Sequence, residues 1–150
     1  MEKERDNRQL LNELLVELFN YILLLEERNL KKNGLKGLSI NEVHIIEAIK
    51  KTETPSMSEV ANRLMITPST LSTSVNRLIQ KGFVKSERSK EDRRVVLLSL
   101  TEKGQEAFRI HEEFHKKMIN QILIQTNFNE DELLIQSLKN LMEFFKQLKL

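Results

Sequence analysis

The stretch "TPSTLSTSVNRLIQKGFVKSERSKEDRRVVLLSL", Thr67 to Leu100, changes its apolar period halfway along. Leu71, Val75, Leu78 and Ile79 recur at helical spacing, whereas Val96, Leu98 and Leu100 alternate at the two-residue period of a strand. Thr67 followed by Pro68 reads as a helix start: the hydroxyl accepts from an orphan backbone N–H, and proline at the first helical position gives up no hydrogen bond. Gly82 marks the stop, so the spacing predicts a helix over Thr67–Lys81. Beyond it, Phe83–Glu87 and Arg94–Leu100 predict two strands joined by "RSKEDR". Upstream, Ser39-x-x-Glu42 and Ser56-x-x-Glu59 each read as a capping box and open helices over Ser39–Lys50 and Ser56–Leu64. Two short helices in close succession predict a helix-turn-helix, and the hairpin behind it makes the winged variety.

Outward from this middle, the apolar residues mark longer helices. Leu11, Leu15, Leu18, Ile22 and Leu25 form a stripe near the heptad seam on a helix that should end around "KKNGLKG". Thr101 should cap a helix carrying Phe108, His111, Phe114, Met118 and Ile122. Leu134, Leu138, Leu141, Phe145 and Leu148 repeat the striped spacing after a start at Asn129, with Glu132 three residues on. A chain of 150 residues offers limited core for two terminal stripes, so pairing with a second copy is expected, the alternative being that both pack on their own core. The expected fold is mostly α (α+β): a winged helix-turn-helix with long N- and C-terminal dimerisation helices. Residues 1–150 should form one unit, with 6–34 and 101–150 as the helical dimerisation region and 39–100 as the winged segment.

Composition supports that class. Only 4 Gly and 2 Pro, with 31% charged residues, favour long helices over loop-rich β structure. The absence of cysteine removes disulfide frameworks and thiol chemistry. The leading "MEKERDNRQ" is charged and has no signal-peptide pattern, and no long uncharged apolar run follows, so a soluble cytoplasmic protein is expected. Gly-rich phosphate loops and a defensible Ser-His-Asp arrangement are also missing, which makes an enzyme the poorest of the candidate classes.

Charge is unevenly spread. Net charge is +2, yet Arg63 to Ile110 holds 10 Lys/Arg against 5 Asp/Glu. A basic middle in an acidic frame suits a polyanion-facing module on a differently employed scaffold. On the Thr67–Lys81 helix the outward residues are Pro68, Ser69, Thr70, Thr73, Asn76 and Arg77, with Ser72 and Ser74 at the flanks. Short hydroxyl side chains let a helix sit deep in a major groove; threonine methyls suit thymine, asparagine adenine and arginine guanine. A merely solvated face would more often carry Glu and Lys. The hairpin tip carries Arg88, Lys90, Asp92, Arg93 and Arg94. Adjacent arginines there fit a narrow, electronegative minor groove, and Asp92 can brace one guanidinium. A structural helical dimer without DNA binding would leave these features unexplained.

The run "RLMITPSTLSTSVNRLIQKGFVKSERSKEDRRVVLLSLTEKG", Arg63 to Gly104, resembles the MarR family of winged helix-turn-helix repressors, with its Asp-x-Arg wing (Asp92, Arg94) and Leu-Thr-x-x-Gly (Leu100, Thr101, Gly104). The flanking helices also match that family's dimerisation pattern. The resemblance implies a homodimer whose recognition helices enter successive major grooves of a palindromic operator while the wings grip the minor grooves.

Two ligands compete. "RIHEEFHKKMINQI", "SINEVHIIEAI" and "YILLLEERNL" resemble the FabT-type branch, fatty-acid biosynthesis repressors with long-chain acyl-acyl carrier protein as corepressor. That resemblance implies an apolar tunnel, for which Phe19, Ile22, Leu23, Ile46, Ile49, Phe108, Phe114 and Met118 are candidate lining residues, all equally usable by an ordinary core. It also implies a basic docking surface for the acidic carrier protein, with Arg28, Lys31, Lys32 and Lys36 as candidates. The rival is zinc: His111 and His115 lie four apart on one helix face, and His44 lies on a helix the family packs nearby. With Glu26, Glu27, Glu42 or Glu112 these could make a site, as in a zinc-responsive branch of the family. Histidines satisfied structurally, without metal, are the plainer alternative.

Overall fold

Ser39, Ser56 and Thr67 each sit in extended backbone and receive the N–H three residues ahead on the side-chain oxygen, so three successive helices begin where the sequence places their caps. The computed structural model describes residues 2–148; Met1 and Lys149–Leu150, the ends of the expected 1–150 unit, lie outside the described residues. The elements are α1 (Glu2–Lys32), α2 (Ile40–Lys51), α3 (Met57–Leu64), α4 (Pro68–Gln80), β1 (Val84–Arg88), β2 (Val96–Leu100), α5 (Glu102–Gln125) and α6 (Glu132–Gln147). By contacts the chain divides into two compact units, Met1–Glu112 and Glu113–Leu150. This mostly helical architecture with one small antiparallel hairpin is the expected winged helix-turn-helix.

Three local expectations need correction. The Ser39–Glu42 capping box is complete, but Ser56 forms only half of one: its hydroxyl accepts from Glu59 N, while its own N–H is taken by Thr54 O at 2.8 Å. Local backbone pairing thus displaces the reciprocal carboxylate. The last helix starts after Asp131, not Asn129, because Asp131 accepts from Leu134 N at 2.9 Å after a turn in which Glu130 N reaches Asn127 O. The strands begin one and two residues later than predicted: Phe83 N still donates to Leu78 O in the turn that ends α4, and Val95 N donates to Asp92 O within the wing loop.

The first unit has a continuous core. Leu30 of α1, Val43, Ile46 and Ile49 of α2, Val60 of α3, and Leu71, Val75 and Leu78 of α4 pack with Phe83, Val84, Leu98 and Ala107. The hairpin pairs Val84 with Leu100 and Arg88 with Val96, and Leu98 N also donates to Pro55 O at 2.8 Å, so the segment before α3 lies along the free edge of β2. The α1 stripe, Leu11, Leu15, Leu18, Ile22 and Leu25, remains exposed along its whole length. In the second unit, α6 has no buried residue, and Leu138, Phe145 and Leu148 of its stripe are exposed. Apolar faces this extensive are characteristic of surfaces that meet another chain.

Gly104, the last residue of the Leu-Thr-x-x-Gly run, is required by close approach. A Cβ there would lie 2.2 Å from the Phe83 carbonyl oxygen and 3.2 Å from Leu100 Cβ. That carbonyl is itself fixed by Thr101 N at 3.1 Å and cannot retreat. Gly104→Ala is therefore expected to destabilise the fold by roughly 2–3 kcal/mol, read as a lower urea midpoint followed by circular dichroism.

Candidate nucleic-acid interface

The helix α4 buries Leu71, Val75 and Leu78 and half-buries Ile79, the stripe read from the sequence. Pro68, Ser69, Thr70, Thr73, Asn76 and Arg77 are all exposed, and Ser72 and Ser74 are half-buried at the flanks. At its N-terminus the Thr67 hydroxyl contacts Ser69 Oγ at 3.1 Å and Thr70 Oγ1 at 2.9 Å, so the first outward hydroxyls form one local network. At its C-terminus Lys81 anchors the helix: its ammonium donates to both Glu42 oxygens at 2.8 Å and to Gly37 O at 2.7 Å. Burial alone would raise the Glu42 carboxyl, but the bonds from Lys81 and from Ser39 N–H outweigh it and hold Glu42 below its ordinary value. The sequence reading missed this anchor, which joins residues 39 positions apart.

The wing is ordered by its own charges. Asp92 accepts a fork from Arg94, Nε at 3.1 Å and a terminal guanidinium nitrogen at 3.1 Å, as well as the Arg94 N–H at 3.0 Å. Those bonds hold the Asp92 carboxyl below its usual range. Arg88 donates to Arg93 O at 2.7 Å and so closes the loop across the hairpin. Ser89 Oγ accepts from Glu91 N and Asp92 N. Lys90, Arg93 and Arg94 are exposed at the tip.

The expected ligand residues fall into different surroundings. Ile46 and Ile49 belong to the winged core, Leu23 is half-buried, and Phe19 on α1 is 63% exposed. Phe108 is half-buried with the Lys50 ammonium 6.0 Å from its ring centre. Phe114 and Met118, both half-buried, lie in the second unit. An open cleft of about 510 Å³ takes in Phe108 together with Lys50, Gln105 and Arg109. Arg28, Lys31, Lys32 and Lys36 are exposed, and Lys31 pairs with Glu27 at 3.1 Å.

His44 and His111 do come together. Their ring centres are 5.5 Å apart, and Glu26, only 3% exposed, approaches His44 Nε2 at 3.5 Å and His111 Nε2 at 3.8 Å. Of the acidic partners considered from sequence, Glu26 is in this cluster, whereas Glu42 serves Lys81 and Glu27 serves Lys31. Sequence reasoning missed Glu47, 3.4 Å from His111 and also bonded to Lys51. Its spacing was a usable signal, because Glu47 follows His44 by three and precedes Lys51 by four on one helix. His115 stands one helical turn beyond His111 on α5.

The MarR family profile matches residues 38–96. FabT of Streptococcus pneumoniae, crystallised in complex with DNA, is 40% identical with a TM-score of 0.89 over 95% of this chain and 99% of that one. The chain belongs to the MarR family. It is also similar to the transcriptional repressor MdtR of Bacillus subtilis, 27% identical over 64% of this chain and 62% of that protein. A MarR protein of Staphylococcus aureus, in complex with salicylate and kanamycin, has the same fold with a TM-score of 0.72 at 24% identity, covering 93% of this chain and 90% of that one. The chain spans 62%, 57% and 47% of the length of three curated relatives.

The His111 hydrogen bond, aided by Lys51, lowers the Glu47 carboxyl from 4.5 to about 2 against the opposing effect of burial. A depressed carboxyl stabilises the fold above its unfolded value and loses that contribution as pH falls toward the folded value. Glu47→Gln is expected to lower stability at pH 7 by about 1–2 kcal/mol and to flatten the acid limb between roughly pH 4.5 and 2. Urea titrations of both chains across that range measure the difference.

Proposed function

We propose that this chain is a DNA-binding transcriptional repressor acting as a homodimer on a palindromic operator. The observation that carries this reading is the pairing of a hydroxyl-rich outward face on α4 with a wing whose arginines are pre-set by Asp92 and by the Arg88–Arg93 backbone bond. Likeness to FabT, crystallised with DNA, supports it. Pro68, Ser69, Thr70, Thr73, Asn76 and Arg77 address the major groove, and Arg88, Lys90, Asp92, Arg93 and Arg94 form the wing that enters the minor groove. The exposed stripes of α1 and α6 supply the dimer surface. Relatives named as transcriptional regulators favour this role over catalysis. Among the described residues no helix is long and apolar enough to cross a membrane, and a cytoplasmic location fits the role.

The finer reading is control of fatty-acid biosynthesis genes with long-chain acyl-acyl carrier protein as corepressor, supported by the 40% identity to FabT along nearly the whole chain. Its lining candidates are Phe19, Ile22, Leu23, Ile46, Ile49, Phe108, Phe114 and Met118, and the carrier would meet Arg28, Lys31, Lys32 and Lys36. A second reading, zinc sensing, is favoured by one observation: the buried Glu26 and His111 and the half-buried His44 present a carboxylate and two imidazoles to one another. Such nitrogen and oxygen donors suit zinc, and His115 is the further candidate ligand.

The test is binding to a duplex selected by the wild-type chain from a random-sequence pool, at fixed salt. Arg93→Ala/Arg94→Ala should weaken binding at least roughly tenfold and reduce its salt dependence, with helicity and dimer intact. Unchanged binding would sink the wing assignment. Adding long-chain acyl-acyl carrier protein should tighten wild-type binding; tightening by zinc alone would reject the lipid reading and make the histidines ligands.

A further inference from the structure

Met65 is the C-cap of α3 and occupies the left-handed region, φ 56° and ψ 38°. Among the described residues it alone, glycines aside, has positive φ. Its N–H donates to Asn62 O at 3.1 Å, and Ile66 N donates to Ala61 O at 3.1 Å, so the strained residue closes the turn between the two helices of the helix-turn-helix. Glycine or asparagine is the usual occupant of such a position, whereas a bulky side chain there strains the backbone. Nor does the side chain recover that cost in the core: Met65 is 86% exposed, above every other large apolar residue of the exposed set. A strained backbone and an apolar side chain held out in water are two penalties at one position with no return inside the fold.

We infer that Met65 is a DNA-contacting residue, laying its thioether on the apolar edge of the duplex, the deoxyribose carbons and thymine methyls beside the recognition helix. The inference rests on the DNA reading above. Recognition helices address bases with their N-terminal residues, and Met65 immediately precedes Ile66 and the Thr67 cap at that end of α4. Ser69 and Thr70 offer short hydroxyls there, which leaves the longer reach to Met65. An unbranched thioether follows an irregular apolar surface with little strain, and thymine methyls are the apolar marks in the major groove. The contact is chemically unlike the wing: it displaces water and releases no counterions.

The experiment compares wild type, Met65→Asn, Met65→Gly and Met65→Leu on the duplex selected by the wild-type chain. Asn and Gly should bind roughly tenfold more weakly, the order expected for losing one buried methionine side chain, with the salt slope unchanged. Their Tm should stay at or above that of wild type, because the left-handed backbone is relieved. Leu, equally strained but apolar, should retain most of the affinity. The inference is overturned if Asn and Gly bind as tightly as wild type, if Leu loses as much as Asn, or if Asn lowers the Tm. Failure of wild type to select any duplex sinks both this inference and the DNA reading. A selected duplex weakened by Arg93→Ala/Arg94→Ala but not by Met65→Asn sinks this inference alone.

Discussion

The junction around Thr101 holds the wing to the recognition helix, and the presentation of both depends on it. Its hydroxyl donates to Gly82 O at 2.6 Å and accepts from Gly104 N at 3.1 Å, while its N–H donates to Phe83 O at 3.1 Å. One residue thus ties the exit of α4, the entry of β1 and the start of α5. Lys103 adds a second link, its ammonium donating to Lys81 O at 2.9 Å and lying 4.4 Å from the centre of the Phe83 ring. Gly82 supplies the positive φ of 83° that turns the chain out of α4, and Gly104 supplies the close approach. The Leu-Thr-x-x-Gly run is therefore a packing solution: threonine caps one helix and clamps the end of another, and glycine leaves room for both.

The opposite side of α4 is fastened by Lys81. A cation at a helix C-terminus is favourable against the dipole, and here it also meets a carboxylate that caps the N-terminus of α2. Glu42 consequently serves two helix ends at once, completing the Ser39 box and holding the last turn of α4. Since Lys81 also bonds Gly37 O, the segment between α1 and α2 is mechanically joined to the recognition helix. Displacement of that segment would be felt at α4 through the Lys81–Gly37 bond, beside the two bonds that tie Lys81 to Glu42 at the start of α2.

What the sequence revealed follows the range of the interactions concerned. Helical and strand periods, the caps at Ser39 and Thr67, and the stop at Gly82 are set within a few residues, and all are visible in the one-dimensional pattern. The Asp92–Arg94 fork was legible for the same reason, its partners being two residues apart. Ser56 misled because Thr54 and the edge of β2 compete for the backbone around it, a tertiary circumstance no local motif contains. Asp131 and Asn129 are both good caps, and the turn through Asn127 and Phe128 decides between them. Glu47, Lys81 and the backbone role of Arg88 depend on where other segments come to rest, so each carried only a weak signal.

Arg88 and Arg94 show how a hairpin loop gains direction without a core. Both are exposed, so neither interaction adds much to folding in screened solvent. Their effect is on the loop's conformational freedom: Arg88 fixes the Arg93 carbonyl from the opposite strand, and Asp92 holds the Arg94 guanidinium by two parallel bonds and its backbone by a third. Ordering that would otherwise oppose association is already present in the free chain, and that lowers the entropic penalty of meeting a polyanion. Asp92 is thus more than a charge of the opposite sign in a basic loop. By neutralising part of the wing it gives up some long-range attraction, and in exchange it fixes where one cation points, which is what the minor-groove contact proposed for the wing would require.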